Sequence, residues 1–211
     1  MSAPPEPKAA PEYTAKTLVI GLVIILLAGC AVVAYFNKGL YLLPDKVCDG
    51  AVSRDVVIRI LPRTRTAGYE AEQHNEGEDF HFGCRVDTSA GPLISGRADI
   101  ADVSLKTWHT PDDDSVQVAA GGVEAFAELD SDTSNTYVPC VPRGAEAGDA
   151  RESYALTVEV GVIGKGRGSP AALRQAVTDF AYQFTVHAYD LAGCQGTRKF
   201  PDELPRYEAA G

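Results

Sequence analysis

Four histidines, His74, His81, His109 and His187, are the side chains best suited to proton transfer or metal binding near neutral pH. None stands at the H-E-x-x-H spacing that puts two imidazoles on one helical face around a zinc ion. His187 falls within a helical pattern and reads as a boundary or surface residue of that helix. Nucleophile signatures are missing too, with neither a G-x-S-x-G elbow nor an S-x-x-K. Two acidic clusters follow. Glu70, Glu72, Glu76, Glu78 and Asp79 flank His74 and His81, and Asp112-Asp113-Asp114 follows Pro111. Calcium takes several oxygen ligands, but neither cluster has the alternating order of an EF-hand loop. They read as a solvated hairpin edge and a polar turn. Gly164-Lys165-Gly166-Arg167-Gly168-Ser169 could offer backbone N–H groups to an anion, yet it has neither Walker nor Rossmann spacing and reads as a strand-to-helix connection. Trp108, the only tryptophan, reads as a packed anchor sooner than the centre of a partner-binding patch. No catalytic, cofactor-binding or metal-binding residue is assigned from these patterns. The expectation is a non-catalytic protein that binds a partner or ligand. An enzyme whose site is assembled from sequence-distant residues is the alternative.

Cysteines carry more information. Beyond residue 40 they are Cys48, Cys84, Cys140 and Cys194, separated by 36, 56 and 54 residues. No pair has C-x-x-C spacing, which removes the zinc ribbon and the thioredoxin-type redox motif. An even number of widely spaced cysteines suits two disulfides in a domain outside the cytoplasm, although four cysteines permit three connectivities. Charge points the same way on partners. The chain of 211 residues carries a net −10, and because Glu6, Lys8, Glu12 and Lys16 cancel, all of that excess lies beyond them. Such a surface repels phosphate backbones and anionic headgroups, so nucleic acid and peripheral lipid partners are disfavoured.

The run Leu18 to Phe36, LVIGLVIILLAGCAVVAYF, contains no charged residue. As a helix its length is roughly 28 Å, close to a bilayer's hydrocarbon thickness. Lys16 precedes it and Tyr35, Asn37, Lys38 and Tyr41 follow, at the depth where amphipathic side chains settle. A transmembrane anchor over 17–37 is therefore expected, with 1–16 a disordered cytoplasmic tail. Leu27-Ala28-Gly29-Cys30 also resembles a lipobox, which would make Cys30 a lipidated N-terminus. The apolar run continues for six residues past Cys30, whereas the segment after a lipidated cysteine is usually polar.

The remaining pattern describes one α+β domain over 45–195 with an antiparallel sheet, two main helices and two disulfides, followed by a flexible tail over 196–211. Ser53 and Pro62 bracket a helix that puts Val56, Val57, Ile60 and Leu61 on one face. Phe80, Phe82 and Cys84 alternate with His81, Gly83 and Arg85 as a strand does. Leu93 to Leu105 contains a further strand, placed around Ala98 to Leu105; two short ones lie on either side of Gly121-Gly122, and Cys140 opens a strand region whose strongest member is Tyr154 to Ile163. The last helix has Ser169 as N-cap, Pro170 at its first position, Leu173, Val177, Phe180, Phe184 and Ala188 as its apolar stripe, and Gly193 as its stop. Sequential pairing, Cys48–Cys84 and Cys140–Cys194, would tether each helix to its own part of the sheet.

Three short motifs carry a resemblance: Cys48-Asp49-Gly50 leading into a helix, Tyr137-Val138-Pro139-Cys140, and the Ala-rich last helix closing on Ala192-Gly193-Cys194. In this layout the chain resembles membrane-anchored or lipoprotein-type envelope proteins of high-GC actinobacteria. The resemblance implies an α+β fold, a cell-membrane location and an envelope protein as partner. It brings no activity and no cofactor.

Overall fold

The computed structural model describes residues 15–108, 115–129, 132–143 and 154–207, and the chain divides after Asn37 into two units. In its described part the first is one helix, α1 (Ala15–Asn37). Over Lys16–Ala34 its mean hydropathy is 2.9 and none of it is buried, so this helix is long and apolar enough to cross a membrane. Cys30 lies inside it as an exposed free thiol.

The second unit opens on a 3-10 turn, Gly39–Leu42, and a small hairpin of β1 (Lys46–Val47) and β2 (Val52–Ser53). Cys48, Asp49 and Gly50 form the hairpin turn, all with positive φ. α2 (Arg54–Ile60) follows and buries Val56, Val57 and Ile60, with Leu61 beside them, on the face that their spacing predicts. Ser53 occupies the N-cap position without capping through its side chain; its backbone N–H donates to Gln183 Oε1 at 2.8 Å.

Seven strands make the main sheet: β3 (Ala67–His74), β4 (His81–Thr88), β5 (Leu93–Asp102), β6 (Ser115–Ala120), β7 (Val123–Glu128), β8 (Thr133–Pro139) and β9 (Tyr154–Ile163). Their spatial order is β3-β4-β5-β9-β8-β7-β6, and every neighbouring pair is antiparallel. A one-turn helix, α3 (Leu105–Trp108), follows β5. The long α4 (Pro170–Ala192) packs against β5, β9, β8 and β7 on one face, with α2 against its flank. Phe180 and Phe184 sit over Gly96, where a Cβ would stand only 3.4 and 3.6 Å from their rings. Phe82 stacks on Phe184 with centroids 4.8 Å apart. Each of these fully buried rings contributes about 1.5–3 kcal/mol of apolar transfer free energy. Toward β8 the contact changes character. Ser134 faces Thr178 at 2.9 Å, and Thr136 bonds Thr185, whose hydroxyl also donates to the Ala181 carbonyl at 2.6 Å.

Both disulfides form as expected, Cys48–Cys84 and Cys140–Cys194, with Cα atoms 5.5 and 5.1 Å apart. α4 begins and ends where its signals place it. Ser169 Oγ accepts from Ala172 N–H, and Gly193 closes the helix at φ 62°.

Four boundaries differ from the sequence reading. The domain begins at Lys38, not at 45: Leu40 and Leu43 are buried, and the Gly39 N–H donates to Thr64 O at 3.0 Å. Only glycine fits there, since a Cβ would lie 2.7 Å from the backbone of Thr64–Thr66. β5 starts at Leu93, five residues before Ala98, because Leu93 to Arg97 ladder onto Ile163 to Glu159 of β9 despite Gly96. β8, before Cys140, is a strand that was not expected; on its inward face only Val138 is apolar, beside the hydroxyls Ser134 and Thr136, which breaks the apolar alternation. The tail is not loose over its described part. Leu204 is 4% exposed, Tyr182 donates to Pro201 O, and the Tyr207 N–H donates to Gln175 Oε1. Residues 1–14 and 208–211 lie outside the described residues.

Candidate functional site

Alternation decides what the sheet offers on its second face. On β4, Phe82, Cys84 and Val86 point to α4, so His81, Gly83, Arg85 and Asp87 point away. By the ladder register, Ser95, Arg97 and Asp99 of β5 and Glu70, Glu72 and His74 of β3 share that outward face. At the β7–β8 end the face is covered. Trp108 packs edge-on against Phe126 at 5.1 Å and tilted against Tyr137 at 5.3 Å, and the Tyr137 hydroxyl donates to Val103 O at 3.2 Å. Burial raises the Tyr137 pKa, which keeps that donor protonated. At the β3–β4–β5 end the face is bare, and a cleft of about 560 Å³ opens there.

Gly83 forms the floor of this cleft, and charges of opposite sign rise on either side. Glu72 and Arg97 are its direct cross-strand neighbours, two strand spacings or roughly 10 Å apart. Glu70 and Arg85 face each other one pleat further along. Each arginine is steadied by a carboxylate on its own strand. Arg85 Nε lies 2.8 Å from Asp87, and Arg97 Nε 2.6 Å from Asp99. The hydrogen bond to Asp99 raises the Arg97 pKa, so its charge is permanent. Asp99 also accepts from or pairs with His81 Nδ1 at 2.8 Å, which fixes the imidazole plane. His81 Nε2 lies beside Gly83, 3.5 Å from where a Cβ would stand. His74 stacks on His81 with centroids 6.1 Å apart and meets Glu72 at 3.4 Å.

A carboxylate-oriented imidazole can act as a general base, but it needs a substrate or nucleophile in reach. The serine of the cleft, Ser95, stands four residues from Asp99 along β5, roughly 13 Å away, beyond hydrogen bonding to His81. Among the described residues, no group of three His, Cys, Asp or Glu side chains could hold a metal ion. Alternating acids and bases around a side-chain-free floor instead match a ligand that both donates and accepts hydrogen bonds.

The structure therefore gathers part of the acidic–histidine cluster into one site: Glu70, Glu72, His74 and His81. Glu76, Glu78 and Asp79 leave it through a 3-10 turn, Gly77–Asp79, and Glu78 accepts from the Tyr154 hydroxyl at 2.9 Å. His187 lies on the other side of the sheet, half-buried against Phe82 at 5.6 Å between ring centroids. His109 and Asp112–Asp114 lie outside the described residues. Sequence reasoning missed Arg85, Arg97 and Asp99 as site residues. The available signal was their period-two spacing with Gly83 and Ser95, which marks one solvent-facing row per strand. No protein-family model matches the chain, and no curated protein or solved structure is significantly similar to it.

Proposed function

We propose that this chain is a non-catalytic, membrane-anchored cell-envelope protein. In this reading the disulfide-bonded domain stands outside the cytoplasm and binds a polar ligand or partner on the bare end of its sheet. One observation carries the binding role: α4 covers one face, whereas the other bears a glycine-floored cleft ringed by Glu70, Glu72, Arg85, Arg97 and His81. A sheet face kept polar across three strands, with an aromatic cover at its far end only, is suited to recognition. Anchoring is supported by the uncharged helix over Lys16–Ala34, and an extracytoplasmic domain by its two disulfides. The resemblance in layout to envelope proteins of high-GC actinobacteria, carried by Cys48-Asp49-Gly50, Tyr137-Val138-Pro139-Cys140 and Ala192-Gly193-Cys194, implies the same location. The enzyme alternative is the weaker one, because His81 has no serine partner within reach in the cleft.

Location and binding are tested separately. Protease added to intact spheroplasts should degrade the domain, and protection of the whole domain would overturn the placement. For binding, the full chain in nanodiscs is titrated with a zwitterionic peptide and with a neutral oligosaccharide, following amide NMR signals. Those of Gly83, Ser95 and Arg97 should move together with at least one of these ligands. Gly83→Leu should abolish the response, since the added side chain enters the cleft beside Glu72 and His81. No response from either ligand, or one that survives Gly83→Leu, would sink the site.

A further inference from the structure

A second cleft, of about 520 Å³, opens on the flank of α4 away from the sheet's bare face. Its polar lining is dominated by three arginines that the sequence keeps far apart: Arg59 on α2, Arg167 before α4, and Arg206 in the C-terminal segment. Among the described residues no carboxylate lines it. Each arginine is brought there by a separate constraint. The Arg167 N–H donates to Ile60 O at 2.8 Å, and its guanidinium donates to Ile58 O at 3.2 Å. Tyr207, next to Arg206, is pinned through its N–H to Gln175. Arg59 meets Asp179 at 2.8 Å, and Gln175 Nε2 donates to the same carboxylate at 2.9 Å. Asp179 pairs with Arg59, whereas among the described residues neither Arg167 nor Arg206 has an ion-pair partner.

The cleft also includes Tyr41. Tyr41 and Leu42 are 59% and 73% exposed, although they follow α1 by only four and five residues in the chain. An exposed aromatic and leucine beside a basic cleft, directly after an apolar helix, is the composition of a membrane-interface segment. We propose that this cleft holds the phosphate of an anionic phospholipid from the bilayer that α1 enters. The proposal rests on the anchoring reading given above. The chain-wide charge of −10 repels anionic headgroups, and this is a place where the sign is locally reversed. Guanidinium forks match phosphate oxygens in a bidentate way, as they do carboxylates, and phosphate is the anion that an anionic phospholipid presents.

The test uses the full chain in phosphatidylcholine nanodiscs into which phosphatidylglycerol is introduced stepwise, with arginine Nε–H NMR signals as the readout. The Arg167 and Arg206 signals should shift saturably with phosphatidylglycerol. Arg167→Gln with Arg206→Gln, both exposed positions, should weaken that response about twenty-five-fold, at roughly fivefold for each charge removed. Unchanged disulfides and circular dichroism would show that the variant is folded. Inorganic phosphate added to phosphatidylcholine discs is the control for a free anion; if it moves these signals and the lipid does not, the assignment to lipid is overturned. A chain that co-elutes with the discs but ignores phosphatidylglycerol overturns this proposal alone. A chain that fails to co-elute overturns the anchor together with it.

Discussion

Cys140, one residue past β8, is bridged to Cys194, one residue past the left-handed glycine that ends α4. The same junction is sewn by backbone bonds, Cys140 N–H to Tyr154 O at 3.0 Å and Gln195 N–H to Val141 O at 2.7 Å. In the chain-entropy account, closing this 54-residue loop contributes about 4 kcal/mol by restricting the unfolded chain. Cys140→Ser and Cys194→Ser should therefore lower the denaturation free energy equally, and the double variant should be no worse than either. Additive losses would contradict the single shared bond.

Thr136 and Thr185 are expected to be unequal partners. Thr185 keeps a second hydrogen bond, to Ala181 O, so Thr136→Val leaves its donor satisfied and should cost about 1 kcal/mol or less. Thr185→Val strands the buried Thr136 hydroxyl and should cost about 1–3 kcal/mol. The double valine variant should fall short of the summed losses in a denaturation cycle. Equal single costs with full additivity would refute this account.

His187 makes stability depend on pH. Its imidazole is half-buried against Phe82, and burial holds its pKa below the ordinary 6.5, with Asp190 and Asp49 opposing that shift and Lys46 reinforcing it. The folded state therefore binds fewer protons at this site than the unfolded chain. The site's contribution is complete above pH 6.5 and is lost as pH falls below that value toward the depressed folded pKa. Denaturation midpoints measured at pH 7.5 and 5.5 should differ less in His187→Gln than in the parent chain. An unchanged difference would assign the acid sensitivity to other groups.

Tyr182 fastens the C-terminal segment to α4. Its hydroxyl donates to Pro201 O, and burial pushes its pKa up to about 12, so it remains a donor at any pH the folded domain meets. Nearby, the Arg198 guanidinium donates to Gly121 O at 3.1 Å and tucks against Gly122, locking the segment to the β6–β7 turn. Tyr182→Phe should cost about 1 kcal/mol and raise amide exchange over 197–207 without moving exchange in β9. Uniform acceleration across the domain would mean that the segment has no independent opening.

Much of this architecture is legible in the sequence because it rests on local signals. The apolar period of α4, its Ser169–Pro170 start and its Gly193 stop are each set by neighbours a few residues away. The same holds for the hairpin around Gly121-Gly122 and for the alternation of β9. β8 and the start of β5 were harder to read, since Ser134, Thr136 and Gly96 acquire their meaning only from α4, far along the chain. Their inward positions pack against helix hydroxyls and phenylalanine rings that no local window contains. The site was half-visible for the same reason. The acidic–histidine cluster stands out in the linear chain, but its counter-charges Arg85 and Arg97 join it only through strand register.

The order of the strands has a consequence for how the chain must be made. β9 lies at the middle of the sheet, between β5 and β8, yet among the described strands it comes last along the chain. Without residues 154–163, β3-β4-β5 and β6-β7-β8 share no ladder, and β5 and β8 each lack the partner that β9 supplies. Cys48 and Cys84 can meet at that stage, whereas Cys140 must wait for the end of α4. A ribbon with an open edge and an uncovered apolar side is the form most prone to pair with another copy of itself. Any slowing of synthesis before β9 would therefore lengthen exposure to misassembly, and the central strand acts as the latch that ends it.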